Sequence, residues 1–205
     1  MKVYLTNLNE SWIVDRLRDE WYQHNTSISV DSIKQAEIIW IIAPWLWKKI
    51  KKKHLRDKKV VCSIYHLEDK DFEHKQIRDF KKRDSFVDVY HVISLKTKKE
   101  LEKLTDKEII YIPFWSDQLS WYEINDKDSL RKKYGLPLDA YILGSFQRDT
   151  EGSDLKSPKL IKGPDRLVKI IEAKNRDSDK LVVLLSGKRR QYIIKELENL
   201  NINYK

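Results

Sequence analysis

Short apolar runs alternate along this chain with longer stretches whose apolar residues recur at helical spacing. Residues 2–8 alternate as a first strand, and Ser11 is placed to cap a helix with apolar positions Trp12, Val14, Leu17, Trp21 and Tyr22. Residues 38–43 form a continuous apolar run, the pattern of a strand buried on both faces. Pro44 ends that run, and one helix is expected over 46–56. Residues 60–65, 88–94 and 109–113 read as a third, fourth and fifth strand, separated by helices over 71–83 and 97–104. A helix over 126–134 is closed by Gly135-Leu136-Pro137. Beyond it come a strand (141–145), a helix (165–174), a strand (181–186) and a helix (189–200).

Strands that alternate with helices, without hairpin dipeptides between them, predict an α/β fold with a parallel sheet covered on both faces. The stop signal at Gly135-Leu136-Pro137 divides the chain. Residues 1–136 are expected to form one Rossmann-like domain, and 137–205 the start of a second. Two parallel strands leave both sheet edges and much apolar surface open, so the second domain is expected to be incomplete, with Ile202-Asn203-Tyr204 entering a third strand.

Composition narrows the classes. With 40% hydrophobic and 36% charged residues over 205 positions, the chain is globular rather than disordered. One cysteine, Cys62, excludes an internal disulfide framework. The opening MKVYLTNLNE lacks the apolar core of a secretory leader, and the longest apolar stretch, 38–47, is interrupted by Pro44 and is about half of a membrane span. A cytoplasmic protein is therefore expected. His24, His54 and His74 show no metal-ligand spacing, and neither a metal site nor a cofactor is expected. A net charge of +9 favours anionic partners. Residues 46–59 hold eight Lys or Arg against one acid, Asp57. That segment reads either as a sheet-covering helix with a solvated basic face or as a helix lying on the anionic inner surface of a membrane.

The chemistry concentrates at Tyr141–Ala173. A short apolar strand runs into Gly144 and Ser145, then into a polar loop containing Arg148. Lys162-Gly163-Pro164-Asp165 leads from that loop into a helix with Leu167, Val168, Ile170 and Ile171 on one face. A strand, a glycine-containing loop with cations and a helix start make a phosphate pocket at the carboxyl end of a sheet. Gly144, Arg148 and Lys162 are the candidates for it. Arg offers a planar fork to phosphate oxygens and Lys a point charge. Because thirteen residues separate Arg148 from Lys162, Lys159 and Lys156 are alternative second cations.

GSFQRD followed by KGPDRLVKIIEA resembles the start of the donor-binding domain in glycosyltransferases of family four, which have the GT-B fold. VISLKTKKELEKL, IIYIPFWSD and DSLRKKYGLP are similar to that family's strand-to-helix step, its IPNGVD segment and its linker helix, in the same order. In IIYIPFWSD, Phe114-Trp115-Ser116 replaces the family's Asn-Gly-Val. The resemblance covers about 60–205. It implies that Arg148 and Lys162 hold the diphosphate of a nucleotide-sugar, and that the sugar passes to a glycan or lipid-linked acceptor with retention at the anomeric carbon and without a required metal. It further implies that residues 1–136 bind the acceptor and that His66 faces the transferred sugar as the catalytic residue. The family's acidic segment that grips the donor sugar and ribose would lie past Lys205.

Glu68 and Asp69 beside His66 are candidates to orient acceptor hydroxyls, and Asp117 is a candidate for the donor pocket or for a turn. His91 lies mid-strand and reads as structural. Three function classes fit: a glycosyltransferase or a fragment of one, a non-catalytic remnant of such an enzyme, and a basic nucleic-acid-binding protein. Ordered strand–helix steps favour the first two, and no nucleic-acid partner is expected.

Overall fold

A computed structural model describes residues 1–9, 13–67, 74–177 and 180–205. The chain divides into two compact units, Met1–Tyr122 and Glu123–Lys205. The helix expected to close the first unit thus belongs to the second. It is tied there by Arg131, whose guanidinium donates to the carbonyls of Pro137, Leu138 and Ala140 at 2.7–2.9 Å.

The first unit is built as β1 (Val3–Leu5), α1 (Ile13–His24), β2 (Ile38–Ile41), a 3-10 turn (Pro44–Lys49), α2 (Lys52–Asp57), β3 (Lys59–Ile64), α3 (His74–Asp84), β4 (Val89–Val92), α4 (Leu95–Leu101) and β5 (Glu108–Tyr111). Its five strands are parallel and lie in the order β1-β2-β3-β4-β5. A further segment extends this order. Ser29 pairs in parallel with Val3, through Val3 N–H to the Ile28 carbonyl and Val30 N–H to the Val3 carbonyl. Since β2 already occupies one side of β1, this segment lies on the other. The chain therefore steps outward from β1, then crosses back to continue through β2, and the winding direction reverses between β1 and β2.

The reversal puts helices on both faces. Along β2, Ile39 and Ile41 are fully buried and alternate with Trp40. Trp40 packs edge-on against Trp21 of α1, with ring centroids 5.0 Å apart, and against His91 of β4 at 5.6 Å. On the opposite face Tyr90, the neighbour of His91, stacks on Phe80 of α3. So α1 and α3 cover opposite faces, and the Rossmann-like class expected from the pattern is the class observed. Cys62 is fully buried, which pushes its thiol up to about 12.

One element departs from expectation. The single helix over 46–56 is two pieces, because the backbone at Ile50 and Lys51 is extended, with ψ of 134° and 129°. Pro44 starts a 3-10 turn, and Leu46 and Trp47 are drawn into the core, as is Leu55 on α2. Interior packing fixes these side chains and outweighs continuous helical spacing. Leu46, Trp47 and Leu55, which a membrane-surface helix would offer to lipid, are thus in the interior, Ile50 is half-buried, and Lys48, Lys49, Lys51, Lys52 and Lys53 are exposed. Among the described residues no helix is long and apolar enough to cross a membrane.

The second unit comprises α5 (Lys127–Lys133), β6 (Tyr141–Ser145), a 3-10 turn (Leu160–Lys162), α6 (Pro164–Asp177), β7 (Leu181–Leu185) and α7 (Gln191–Asn199). Asp126 caps α5 by accepting from the Ser129 amide at 3.0 Å. β6 and β7 pair in parallel, and Tyr204 bridges Val183 on the far side of β7, where a third strand was expected. Ile171, Val183, Ile193 and Leu197 form the centre of a separate core.

A polar chain crosses the first sheet. Trp40 Nε1–H donates to Ser63 Oγ at 2.9 Å, Ser63 Oγ lies 2.8 Å from His91 Nδ1, and His91 Nε2 lies 2.9 Å from the Ile112 carbonyl. A carbonyl only accepts, so Nε2 carries the proton and Nδ1 accepts from the serine. Both ring nitrogens are engaged, which makes His91 structural, as its place in the strand suggested. Burial holds its pKa below 6.5, with the Ile112 bond opposing. Once pH falls below that unfolded-state value, the unfolded chain takes up a proton that the folded ring resists, so stability is lost toward acid. Urea unfolding followed by tryptophan emission should show a lower midpoint at pH 5.5 than at pH 7.5, and His91→Gln should flatten that dependence; all seven tryptophans lie in the first unit, so the signal reports this sheet.

Candidate functional site

The loop that leaves β6 is fastened from beneath by a buried ion pair. Asp149 and Arg190, 2% and 5% exposed, approach to 3.5 Å between Oδ2 and Nε, close enough for charge attraction but without a hydrogen bond between those atoms. Arg190 also donates to Ser145 Oγ at 2.7 Å. Asp149 Oδ1 accepts from the Tyr192 amide in the first turn of α7, and the Asp149 amide donates to the Arg189 carbonyl at 2.9 Å. Burial pushes the Asp149 carboxyl above its ordinary range, with the Arg190 charge opposing. The end of β6 and the start of α7 are thereby locked together, although neither residue stood out in the sequence. Asp149 was masked by the charged loop around it; a carboxylate and an Arg forty-one residues apart carry no local signal.

Above that lock the long spacing resolves into a hairpin-like excursion. Thr150 bridges Pro158 in antiparallel sense, the Glu151 amide donates to the Ser157 carbonyl, and the Lys159 amide donates to the Asp149 carbonyl at 2.7 Å. Residues 151–157 thus leave and return at one place. The chain then makes the 3-10 turn Leu160–Lys162 and passes through Gly163, whose φ of 65° suits glycine, into Pro164 at the first position of α6.

Gly144 lies in β6, Arg148 in the loop that follows it, and Lys162 at the end of the 3-10 turn before α6. Gln147 Nε2 donates to the Lys162 carbonyl at 2.7 Å, which binds the residue beside Arg148 to the residue before the helix. Arg148 and Lys162 are both exposed at this place. At Gly144 a Cβ would lie 2.6 Å from the Phe146 ring, so glycine is what lets that ring fold back over the strand end. Lys159 differs: it is partly buried, with its ammonium 3.9 Å from Glu151 across the excursion. Exposed Lys162 precedes the amino end of a fourteen-residue helix, where free amides and the helix dipole favour an anion, and Gln147 ties the neighbouring loop to it.

The remaining candidates lie in the first unit and do not form one site. His66 follows β3 and lines a cavity of about 730 Å³ with Pro44, Lys48, Ile64 and residues of α3. Asp117 lines a different cavity, of about 580 Å³, with Trp21, His24 and Trp115. It accepts from the Leu119 amide and from Ser120 Oγ, which hold its carboxyl below the usual range, and lies 3.7 Å from His24. That is the turn role rather than a convergent one. Glu68 and Asp69 lie outside the described residues, as does Ser11. Among the described residues no group of His, Cys, Asp or Glu is placed to hold a metal ion.

No family model matches the chain, and no curated protein matches it by sequence. Solved structures do. The crystal structure of Anabaena Alr3699/HepE in complex with UDP superposes with a TM-score of 0.64 at 11% identity, covering 100% of this chain and 68% of that one. The same protein in complex with UDP and glucose gives a TM-score of 0.62 at 10% identity, over 98% of this chain and 68% of that one. At such identities the likeness is one of fold, and it runs through both units.

Asp149→Ala should strand the Arg190 charge and cost about 3 kcal/mol. Far-UV circular dichroism during urea unfolding should register the loss while tryptophan emission, confined to the first unit, stays unchanged. Combining Asp149→Ala with Arg190→Leu should cost less than the sum of the single changes.

Proposed function

We propose that this chain is a glycosyltransferase, or the larger part of one, whose second unit binds the diphosphate of a nucleotide-sugar and whose first unit receives the acceptor. The observation that supports the reading is the Gln147 bond to the Lys162 carbonyl, which ties the residue next to Arg148 to the turn that precedes α6. As the bond from sugar to diphosphate breaks, negative charge grows on the phosphate oxygens, and cations already in place stabilise it without rearranging. The UDP held by the structurally similar HepE supports a uridine nucleotide as the first ligand to try. The resemblance to family four adds the expectation of retention without a required metal, and of a glycan or lipid-linked acceptor.

The nucleic-acid reading loses part of its support, although Trp45 and Trp121 are exposed. Trp47 is buried, and Trp21, Trp40 and Trp115 pack against the same core, so these rings are not free to stack on bases.

Calorimetric titration with uridine diphosphate tests the donor site. Arg148→Ala and Lys162→Ala should each weaken binding by about tenfold or more, the loss of one charged hydrogen bond. Lys159→Ala should leave it nearly unchanged, because Lys159 faces Glu151. In a transfer assay Arg148→Ala should lower turnover more than it weakens donor binding, since the charge it meets is greatest in the transition state. Binding insensitive to Arg148→Ala would overturn the site; binding without transfer to any acceptor would favour the non-catalytic remnant.

A further inference from the structure

Helix α3 carries Gln76, Asp79, Phe80 and Arg83 at successive helical spacings, and this side of the helix faces the cavity at the carboxyl end of β3. The cavity, about 730 Å³, is lined by four cations, Lys48, Arg78, Lys82 and Arg83, against one carboxylate among the described residues, Asp79. That carboxylate is already engaged by Lys48 at 2.7 Å. Arg83 is only 8% exposed and its guanidinium sits 5.1 Å from the centre of the Phe80 ring. Its Nε–H is buried without an acceptor, although the guanidinium also meets the Tyr90 hydroxyl, and no described carboxylate pairs with Arg83, Arg78 or Lys82.

A buried guanidinium with an unmet donor requires a physical explanation. Here two more cations converge beside it, in a recess at the end of a parallel strand, where such sheets hold ligands. Low-dielectric walls and like charges focus a positive potential there. We infer that this cavity binds a phosphate group of the ligand that the first unit receives, with Arg83 supplying directed hydrogen bonds and Arg78 and Lys82 the surrounding charge. Three cations beyond the neutralised Lys48–Asp79 pair suit a phosphate dianion better than a single carboxylate, and the guanidinium fork matches its oxygens. The inference rests on the acceptor reading of the first unit and narrows it: the acceptor is phosphorylated. The phosphate belongs either to a lipid headgroup or to a soluble phosphorylated saccharide.

The test uses the full chain carrying Arg148→Ala and Lys162→Ala, so that the second unit contributes little phosphate binding and its failure can be told from failure here. Segment 68–73, with Glu68, Asp69, Asp71 and Glu73, lies outside the described residues and is kept intact. Titration with inorganic phosphate at low ionic strength should show saturable binding, weakened about tenfold by Arg83→Gln. Because Arg83 is buried, the exposed pair Arg78→Gln with Lys82→Gln serves as a second variant and should weaken binding similarly. Flotation with phosphatidic acid against phosphatidylcholine vesicles separates the sources. Retention on the former that is lost in the double variant identifies a lipid phosphate, and equal behaviour on both vesicles, with phosphate binding intact, identifies a soluble one. No phosphate binding by the parent chain, or the same affinity in the parent and both variants, overturns the inference.

Discussion

Parallel strands cannot be joined by a tight turn; each must be followed by a crossover that carries the chain back to the starting edge. That constraint organises both units. Within each unit the strands run the same way, so the segments that leave β3 and β6 do so at carboxyl ends, and chemistry-bearing side chains gather at the rim of each sheet. His66 and the cations of α3 occupy the rim of the first unit, while Ser145, Arg148 and Lys162 occupy that of the second. Burial on both faces of the inner strands then leaves little choice of residue within them, whereas the loops are free of that constraint.

The elements with strong periodicity were legible because burial on a parallel sheet imposes long apolar runs. Ile39 and Ile41 are buried to 0% exposure, as 38–43 implied. What escaped reading were features set by distant partners. The segment at Ser29 has only Ile28 and Val30 as its apolar positions, too short a run to read as a strand, and is held to β1 by backbone bonds to Val3. The break at Ile50 and Lys51 lets Leu46, Trp47 and Leu55 all enter one core, whereas on one continuous helix Leu46 and Leu55 would lie on opposite sides. At the loop after β6, the residue types were readable and their fastening was not. Arg148 and Lys162 announce themselves by sequence, but Gln147, Asp149 and Arg190, which hold them in place, look like ordinary loop polarity.

The strong positive charge is not evenly spent. Part of it is neutralised locally, as in Lys48 with Asp79 and Lys159 with Glu151. Other cations have no such partner among the described residues and line the cavity beside β3, at Arg78, Lys82 and Arg83. Net charge alone therefore said that the partners are anionic, and only the pairing pattern says where. Such a field also draws anionic ligands from a distance, an effect that salt would weaken.

Because Thr150 and Pro158 are bridged, the excursion between them is topologically a side branch. Closing a somewhat longer or shorter loop on the same two anchors changes its entropy by only a few tenths of a kcal/mol. The separation of Arg148 and Lys162 along the chain is thus decoupled from their separation in space. Relatives in evolution are free to vary the length of this branch without retuning the pocket, and in the laboratory 151–157 is a natural attachment point for a reporter or an inserted domain.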